Sequence, residues 1–421
     1  MESEARVGRG FWKAVGPGIL FAGAAIGVSH LVQSTRAGAL FGLWLLPVVL
    51  LAHAAKYPAM VFGPRYAAAT GRSLIEAYRE QGRHALGLFA LIAIGTSFTI
   101  LAAVTMVTAA VVRTSLGLEG VSVVAIAAGL LVLSALTVAC GGFRWLDALL
   151  KVLMVLLLAA TLVAAGSALP RMEWAAALIV PAGLGLAALP FVVGLVGWMP
   201  APLDITVWHS LWTLDRAKQT GHTPTHQQCR ADFDIGYALC AVTACSFLLL
   251  GAVLMHQRGV ETPEGSAPFV AQLFDLYAEA IGAWVRPVIA VAASAVMLST
   301  TLTVFDALPR TAQTLTSVAM GRERPAVRSR LYWGFTLLIS FGAIAIIYTA
   351  RHSLVPLVHL ATTISFVGTP LLAAFNHRAM HSAAVPAAHR PGKAMRRASL
   401  ACVWLWAGFA VLYVWQLVVG F

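Results

Sequence analysis

From Val123 to Ala139 the chain runs a full helical length without one charged residue, and apolar stretches of comparable length recur from end to end. A bilayer core offers no water to backbone N–H and C=O groups, so such stretches must become helices of about 20 residues or close into a barrel. Barrel strands alternate apolar and polar residues, and these runs do not. Composition agrees: 59% of the residues are hydrophobic and 11% charged, against roughly 45–50% and about 25% in soluble domains. The expected fold class is an all-α polytopic membrane protein whose solvent is lipid. The net charge of +12 lies almost entirely in short loops, where membrane topology demands basic residues, so it points to no nucleic-acid partner.

Apolar stretches bounded by charge, Gly or Pro place spans near 14–38, 41–63, 86–112, 121–140, 146–167, 183–210, 231–255, 282–308, 328–349, 354–376 and 398–420. Eleven spans put the two termini on opposite sides. Of the 29 Lys and Arg, 22 fall in or beside one alternating set of loops and six in or beside the other, and the remaining one, Lys56, lies deeper within a span. That asymmetry predicts a cytoplasmic N-terminus, a C-terminus across the membrane and a bacterial inner (plasma) membrane setting. Met1 to Gly10 is polar and carries no cleavage signature, so the first span is expected to stay in the protein. Cys140, Cys229, Cys240, Cys245 and Cys402 form no spaced framework, and no disulfide is expected. The loop from Met255 to Gly282, with Glu261, Glu264, Asp275 and Glu279, is expected to hold a short surface helix. The whole chain, 1–421, reads as one transmembrane domain.

Two spans carry the signs of a break. Span 1 opens on Gly16-Pro17-Gly18 and reaches a polar cluster, Gly27-Val28-Ser29-His30, at mid-depth; span 6 reads Gly194-Leu-Val-Gly197-Trp198-Met199-Pro200-Ala201-Pro202-Leu203-Asp204. Each proline inside a helix removes a hydrogen bond and costs about 3 kcal/mol. Unpaired backbone survives in lipid only where it lines a protein cavity. One break opens the chain and the other opens a second set of five spans, the arrangement of inverted-repeat transporters, whose sites lie at paired broken helices. The repeats are expected at 14–167 and 183–376, with an extra eleventh helix at 398–420.

Gly16-Pro17-Gly18, Arg36-Ala37-Gly38-Ala39-Leu40-Phe41-Gly42, Ala69-Thr70-Gly71-Arg72-Ser73-Leu74-Ile75-Glu76 and Met199-Pro200 resemble, in order and spacing, the NRAMP (natural resistance-associated macrophage protein) family of divalent-metal transporters. The resemblance covers spans 1 to 10 and implies a LeuT-type 5+5 inverted repeat with broken helices 1 and 6. It also implies a metal site at the two breaks, and there the sequence departs from the family. Where the family's first helix has Asp-Pro-Gly-Asn, this chain has Gly27-Val28-Ser29-His30, so the anionic ligand is absent. Met199 keeps the place of the metal-binding Met and Val196 that of a carbonyl ligand, but Ala201 replaces the His that follows Met-Pro. Span 3 holds no ionisable side chain between Ala85 and Val112, where the family carries acidic residues linked to proton movement.

Hard divalent ions demand oxygen donors, usually carboxylate, and the side chains left at the breaks, Ser29, His30 and Met199, are neutral. If a metal is the cargo, His30 and Met199 are its side-chain ligands; the other reading is a small anion such as bicarbonate or a carboxylate, drawn to half-helix N-termini. The candidate substrate-binding residues are Gly27, Val28, Ser29, His30, Val196, Gly197, Met199, Pro200 and Ala201, with Pro200 placed in the first turn of the second half of span 6. Candidate coupling or gating residues are Lys56, Asp204, Ser299, Thr300, Thr301 and Asp306. Lys56 is expected to snorkel toward the near membrane face, the alternative being a fixed positive charge at the site. Asp204 is expected either to cap a half-helix or to balance a coupling cation. Asp306 and Arg310, at i and i+4, are expected to pair. The hydroxyls of Ser299 to Thr301 fit either packing or a sodium site.

His222, His226 and Cys229, and Asn376, His377 and His381, lack a full ligand set and read as solvated loop residues. No catalytic motif or cofactor fingerprint is present, so neither an enzyme nor a cofactor is expected. These features predict a secondary transporter moving a small ion or solute by alternating access, with H+ or Na+ as coupling ion and membrane lipid as its surroundings. A receptor or scaffold that has kept the fold without transport is the reading from another class.

Overall fold

The computed structural model describes residues 11–141, 144–177, 179–181, 183–263, 266–322, 328–351 and 354–419. Met1 to Gly10 and Glu264 therefore lie outside the described residues. Eleven membrane spans appear among those described, and nine are single helices: span 2 (Leu46–Thr70), span 3 (Arg83–Ser115), span 4 (Val123–Ala139), span 5 (Arg144–Ala168), span 7 (His226–Leu254), span 8 (Val285–Ala319), span 9 (Arg330–Thr349), span 10 (Leu354–Met380) and span 11 (Lys393–Val419). Spans 1 and 6 are in pieces. By length and composition alone, eight helices are long and apolar enough to cross a membrane, Ser29–Thr70 counting as one of them. Span 4 and the first half of span 6 are apolar but shorter.

Several ends differ from the sequence expectation for one reason. Span 2 was expected over 41–63, but Gly42, at φ 56°, ends span 1, and a 3-10 turn, Gly42–Leu45, leads into a helix that runs through Pro58 and Pro64 to Gly71. Spans 7 and 8 are likewise longer than the apolar core, span 7 starting at a capping box of Thr225 and Gln228. Polar helix ends outside the hydrocarbon remain helical, and apolar length does not reveal them. The surface helix expected after Met255 is present as Ser266–Ile281.

Valines, leucines and aromatics on spans 4, 5, 9 and 11 point outward, among them Val132, Val155, Phe341 and Val418. In a lipid solvent this apolar exterior is the expected surface. Inside, span 1 is joined to span 7 backbone to backbone. A Cβ on Gly18 would stand 2.0 Å from the Asp232 carbonyl oxygen, one on Gly236 2.2 Å from that of Gly18, and one on Gly38 1.9 Å from that of Leu248. Small residues that allow such approach are how membrane helices pack without a hydrophobic drive. The Asp232 carboxylate also accepts from the Gly16 N–H at 3.1 Å and the Gly18 N–H at 2.6 Å. It thus satisfies the free donors at the start of span 1, which explains the opening Gly-Pro-Gly.

Candidate functional site

Span 1 is helical over Pro17–Ala25, loses regular bonding at Ile26 and Gly27, and resumes as a π-helical turn, Ser29–Ser34, that passes into Thr35–Phe41. Span 6 is helical over Leu189–Gly197 and again over Ile205–Thr220, with Trp198 to Asp204 unwound between. Both interruptions fall on the residues whose composition signalled them. Pro200 does not open the second half-helix as expected; it sits within the unwound stretch, and Ile205 starts the helix.

The feature that organises the region is Lys56, on span 2. Its side chain is fully buried, so it does not snorkel. Its Nζ donates to the carbonyl oxygens of Val196 at 2.6 Å, Gly197 at 2.8 Å and Ala201 at 3.3 Å. An ammonium has three N–H donors, and all three are used on the carbonyls that the break in span 6 sets free. The face of the Trp406 ring, from span 11, lies 5.5 Å from Nζ and adds a cation–π contact. Snorkelling fails here because the break supplies, inside the bundle, the acceptors that the membrane face would otherwise supply.

His30 is fully buried, with Nε2 3.1 Å from the Cys240 carbonyl oxygen and Nδ1 2.9 Å from Ser29 Oγ. A carbonyl can only accept, so Nε2 carries a hydrogen, while Nδ1 lies beside a Ser29 hydroxyl that donates to the Ala25 carbonyl oxygen at 3.1 Å. Both ring nitrogens are thereby engaged on span 7 and on the neighbouring residue. Met199 is buried in the break, and the Trp198 indole N–H donates to Ser365 Oγ at 2.9 Å, anchoring the break on span 10. Gly197 sits so close to that span that a Cβ would be 2.5 Å from the Thr362 carbonyl oxygen.

Thr300 on span 8 donates to the Gly23 carbonyl oxygen at 2.8 Å, and its side chain would stand 3.0 Å from a Cβ on Gly27. Ser299 faces Gly23 from the same span, and Thr301 bonds Thr108 at 2.7 Å. Asp204 occupies the N-cap position of the second half of span 6 but makes no capping bond, and its buried Oδ1 has no hydrogen-bond partner among the described residues. Between the two breaks lies a cavity of about 20 Å³, the room of about one water. It is lined by Val28, Ser29, Ala201 and Thr300 together with apolar residues of spans 1, 3, 6 and 8. Gly27, His30, Val196, Gly197, Met199 and Pro200 are not among the residues that line it.

Asp306 pairs with Arg310 as expected, but the same guanidinium also holds Asp215 on the second half of span 6, and Tyr332 on span 9 donates to Asp306 at 3.0 Å. Arg216 donates to the Lys13 carbonyl oxygen at 3.0 Å, tying that end of span 6 to the start of span 1. Trp406, Asp215, Tyr332 and His209 were not legible from the sequence. His209 is buried with neither ring nitrogen partnered among the described residues. Long-range contacts leave no local pattern, and only the presence of ionisable groups inside spans marks such residues.

Asn376, His377 and His381, read as solvated loop residues, lie instead in or at the end of span 10. Asn376 is fully buried and donates to the Ala59 carbonyl oxygen at 3.0 Å, His377 bonds Ser399 at 2.6 Å, and the rings of His377 and His381 stack at 4.2 Å. Among the described residues no three His, Cys, Asp or Glu converge as a metal cage.

Residues 18–416 match the sequence model of the Nramp family, described as natural resistance-associated macrophage protein-like. An uncharacterized protein of Pasteurella multocida (strain Pm70) is 33% identical over 374 residues, covering 86% of this chain and 84% of its own length. Among solved structures, a manganese transporter of Eremococcus coleocola in complex with an aromatic bis-isothiourea compound superposes with a TM-score of 0.73 at 17% identity, over 96% of this chain and 87% of that one. MhsT in complex with L-phenylalanine gives a TM-score of 0.62 at 11% identity, over 94% and 97% of the two chains. These likenesses show a LeuT-type fold with its 5+5 inverted repeat and broken helices 1 and 6. The chain is an integral membrane protein and belongs to the natural resistance-associated macrophage protein (Nramp) family.

Proposed function

We propose that the chain is a secondary transporter that moves a small anion, of the bicarbonate or carboxylate class, by alternating access around the breaks in spans 1 and 6, and that a bare divalent metal is not its cargo. The observation that carries this is the ammonium of Lys56 on the carbonyls of Val196, Gly197 and Ala201. Val196 is the position that family resemblance gives to a metal's carbonyl ligand, and here that oxygen is taken. A divalent ion about 4 Å from the ammonium would meet a repulsion of about 8 kcal/mol at an effective dielectric of about 20. No carboxylate stands at Gly27 to offset it. An anion meets the opposite sign, and the pair of breaks adds the positive ends of half-helices.

On this reading Val28, Ser29, Ala201 and Thr300 face the solute in the cavity they line, while Gly27, His30, Met199 and Pro200 shape the breaks. The five-span repeats, 14–167 and 183–376, rock about the site, and span 11 holds Lys56 through Trp406. The Asp215–Arg310–Asp306 network and the Arg216 strap close the end of the bundle that carries Lys13. The loop charges support reading that end as cytoplasmic, with a bacterial plasma membrane as the setting.

One observation favours a different class. A cavity the size of one water also fits a protein that keeps the fold as a receptor or scaffold. Purified protein in liposomes separates the readings: uptake of radiolabelled bicarbonate or glycolate above protein-free vesicles, with none of Mn2+, supports the anion transporter. Saturable Mn2+ uptake that falls on Met199→Ala overturns it, and uptake of no probe supports the scaffold.

A further inference from the structure

The cation in this break is tethered. Lys56 rises from span 2, and its Nζ fills the three carbonyls freed in span 6, under the ring of Trp406 from span 11. A free ion in that place can leave with the cargo, whereas a lysine can give up only its proton. The neutral amine has two N–H donors and one lone pair, so one of the three carbonyls must lose its donor and face a lone pair instead. A charge-assisted bond of this kind contributes more than a neutral one; the Val196 carbonyl also accepts from the Met199 N–H at 3.3 Å, so the loss of a donor falls hardest on Gly197 or Ala201.

We propose that Lys56 is the coupling site of the transport cycle: protonated, it locks the unwound stretch from Trp198 to Asp204 onto span 2, and passing its proton to water admitted from one side releases that stretch to move. The coupling ion is then H+, bound by a side chain rather than by the acidic residues that span 3 lacks. This inference rests on the reading of Lys56 as a resident cation in place of a metal.

The groups that face Lys56 are consistent with a titratable lock. His53 lies one turn before it on span 2, and its carbonyl accepts from Tyr237 of span 7 at 2.6 Å. Asp204 lies in the same unwound stretch, and Cys402, a neutral thiol, lies one turn before Trp406 on span 11. Asp204 has an oxygen without a partner among the described residues, so a carboxylate stands ready to favour the ammonium when the two approach. Among the described residues, no second lysine or arginine is hydrogen-bonded to these three carbonyls.

The test uses the full chain in lipid nanodiscs. Amide hydrogen exchange of the peptide covering 196–205 is followed between about pH 5.5 and 9.5 and corrected for intrinsic exchange. Wild type is expected to open by about tenfold more at the alkaline end, the effect of losing about 1.4 kcal/mol of hydrogen bonding. Lys56→Met is expected to exchange fast at every pH, and Lys56→Arg, which keeps its charge throughout, to show no pH dependence. A wild-type peptide with no corrected pH dependence, or one whose dependence survives in Lys56→Met, overturns the lock. In liposomes with glycolate as probe, Lys56→Met is expected to lose accumulation driven by a pH gradient by at least about tenfold more than it loses exchange of internal for external glycolate. Accumulation undiminished in Lys56→Met overturns the coupling role. Failure of wild type to move glycolate or bicarbonate sinks the anion reading instead, and the exchange data still decide the lock.

Discussion

Lys56 Nζ stands 2.6 Å from the carbonyl oxygen of Val196, although the two residues are 140 positions apart. A charged side chain of span 2 therefore completes the hydrogen bonding of a break in span 6. The break and the lysine explain each other: unwound carbonyls inside a membrane protein need donors, and a buried ammonium needs acceptors.

Restoring the family's first-helix ligands should not by itself restore metal binding. Gly27→Asp with His30→Asn supplies the anion and amide but leaves the ammonium in place, and the new Cβ would lie 3.0 Å from the Thr300 side chain. Titration calorimetry is expected to show no Mn2+ binding by this double variant and measurable binding once Lys56→Met is added. Binding by the double variant alone would show that Lys56 yields its carbonyls to a metal.

Trp406 should be energetically coupled to Lys56. A cation–π contact of a desolvated ammonium is worth about 2 kcal/mol, so Trp406→Leu is expected to lower the thermal midpoint more in wild type than in a Lys56→Met background. Trp406→Phe, which keeps an aromatic face, should lose less. Equal losses in both backgrounds would make the tryptophan a packing residue only.

Arg310 joins span 8 to span 6 and is flanked by two carboxylates, its side chain only 12% exposed. Arg310→Met leaves Asp215 and Asp306 facing each other, a change of about 3–5 kcal/mol against the closed end. The expected outcome is faster labelling of a cysteine introduced at Ala25 by a reagent added on the Lys13 side. Asp215→Asn, which leaves Arg310 paired with Asp306, should have a smaller effect. Unchanged labelling in Arg310→Met would remove the network from any gating role.

The glycines of span 1 make a contrast that exchange to alanine can read. A Cβ at Gly38 meets the Leu248 carbonyl oxygen at 1.9 Å, while one at Gly87 on span 3 meets nothing within 4 Å. Gly38→Ala is expected to destabilise by about 3 kcal/mol through overpacking, and Gly87→Ala to stabilise by up to about 1 kcal/mol through helix propensity. Thermal midpoints in detergent decide it, and a tolerated Gly38→Ala would show that spans 1 and 7 can separate without loss.

The span count and both breaks were legible because they rest on local chemistry: apolar length, loop charge, and Gly or Pro at mid-depth. Pro200 was misplaced because its fixed φ fits a helix start and an unwound stretch equally well. Lys56 was misread for a related reason. Seven residues from the expected end of its span at 63, a lysine ordinarily reaches water, and nothing in its own segment shows that three carbonyls of a distant break lie closer. The pairing of Asp306 with Arg310 was local and visible, whereas Asp215 and Tyr332 join that pair from other spans.

That the Lys56 ammonium holds the place of a cargo metal is tested most directly by anomalous diffraction from crystals grown with Mn2+. The predicted result is no anomalous peak at the span 6 break, with Lys56 Nζ still within hydrogen-bonding distance of Val196, Gly197 and Ala201. A manganese peak bonded to the Val196 carbonyl oxygen and Met199 Sδ, with the lysine displaced, would contradict it.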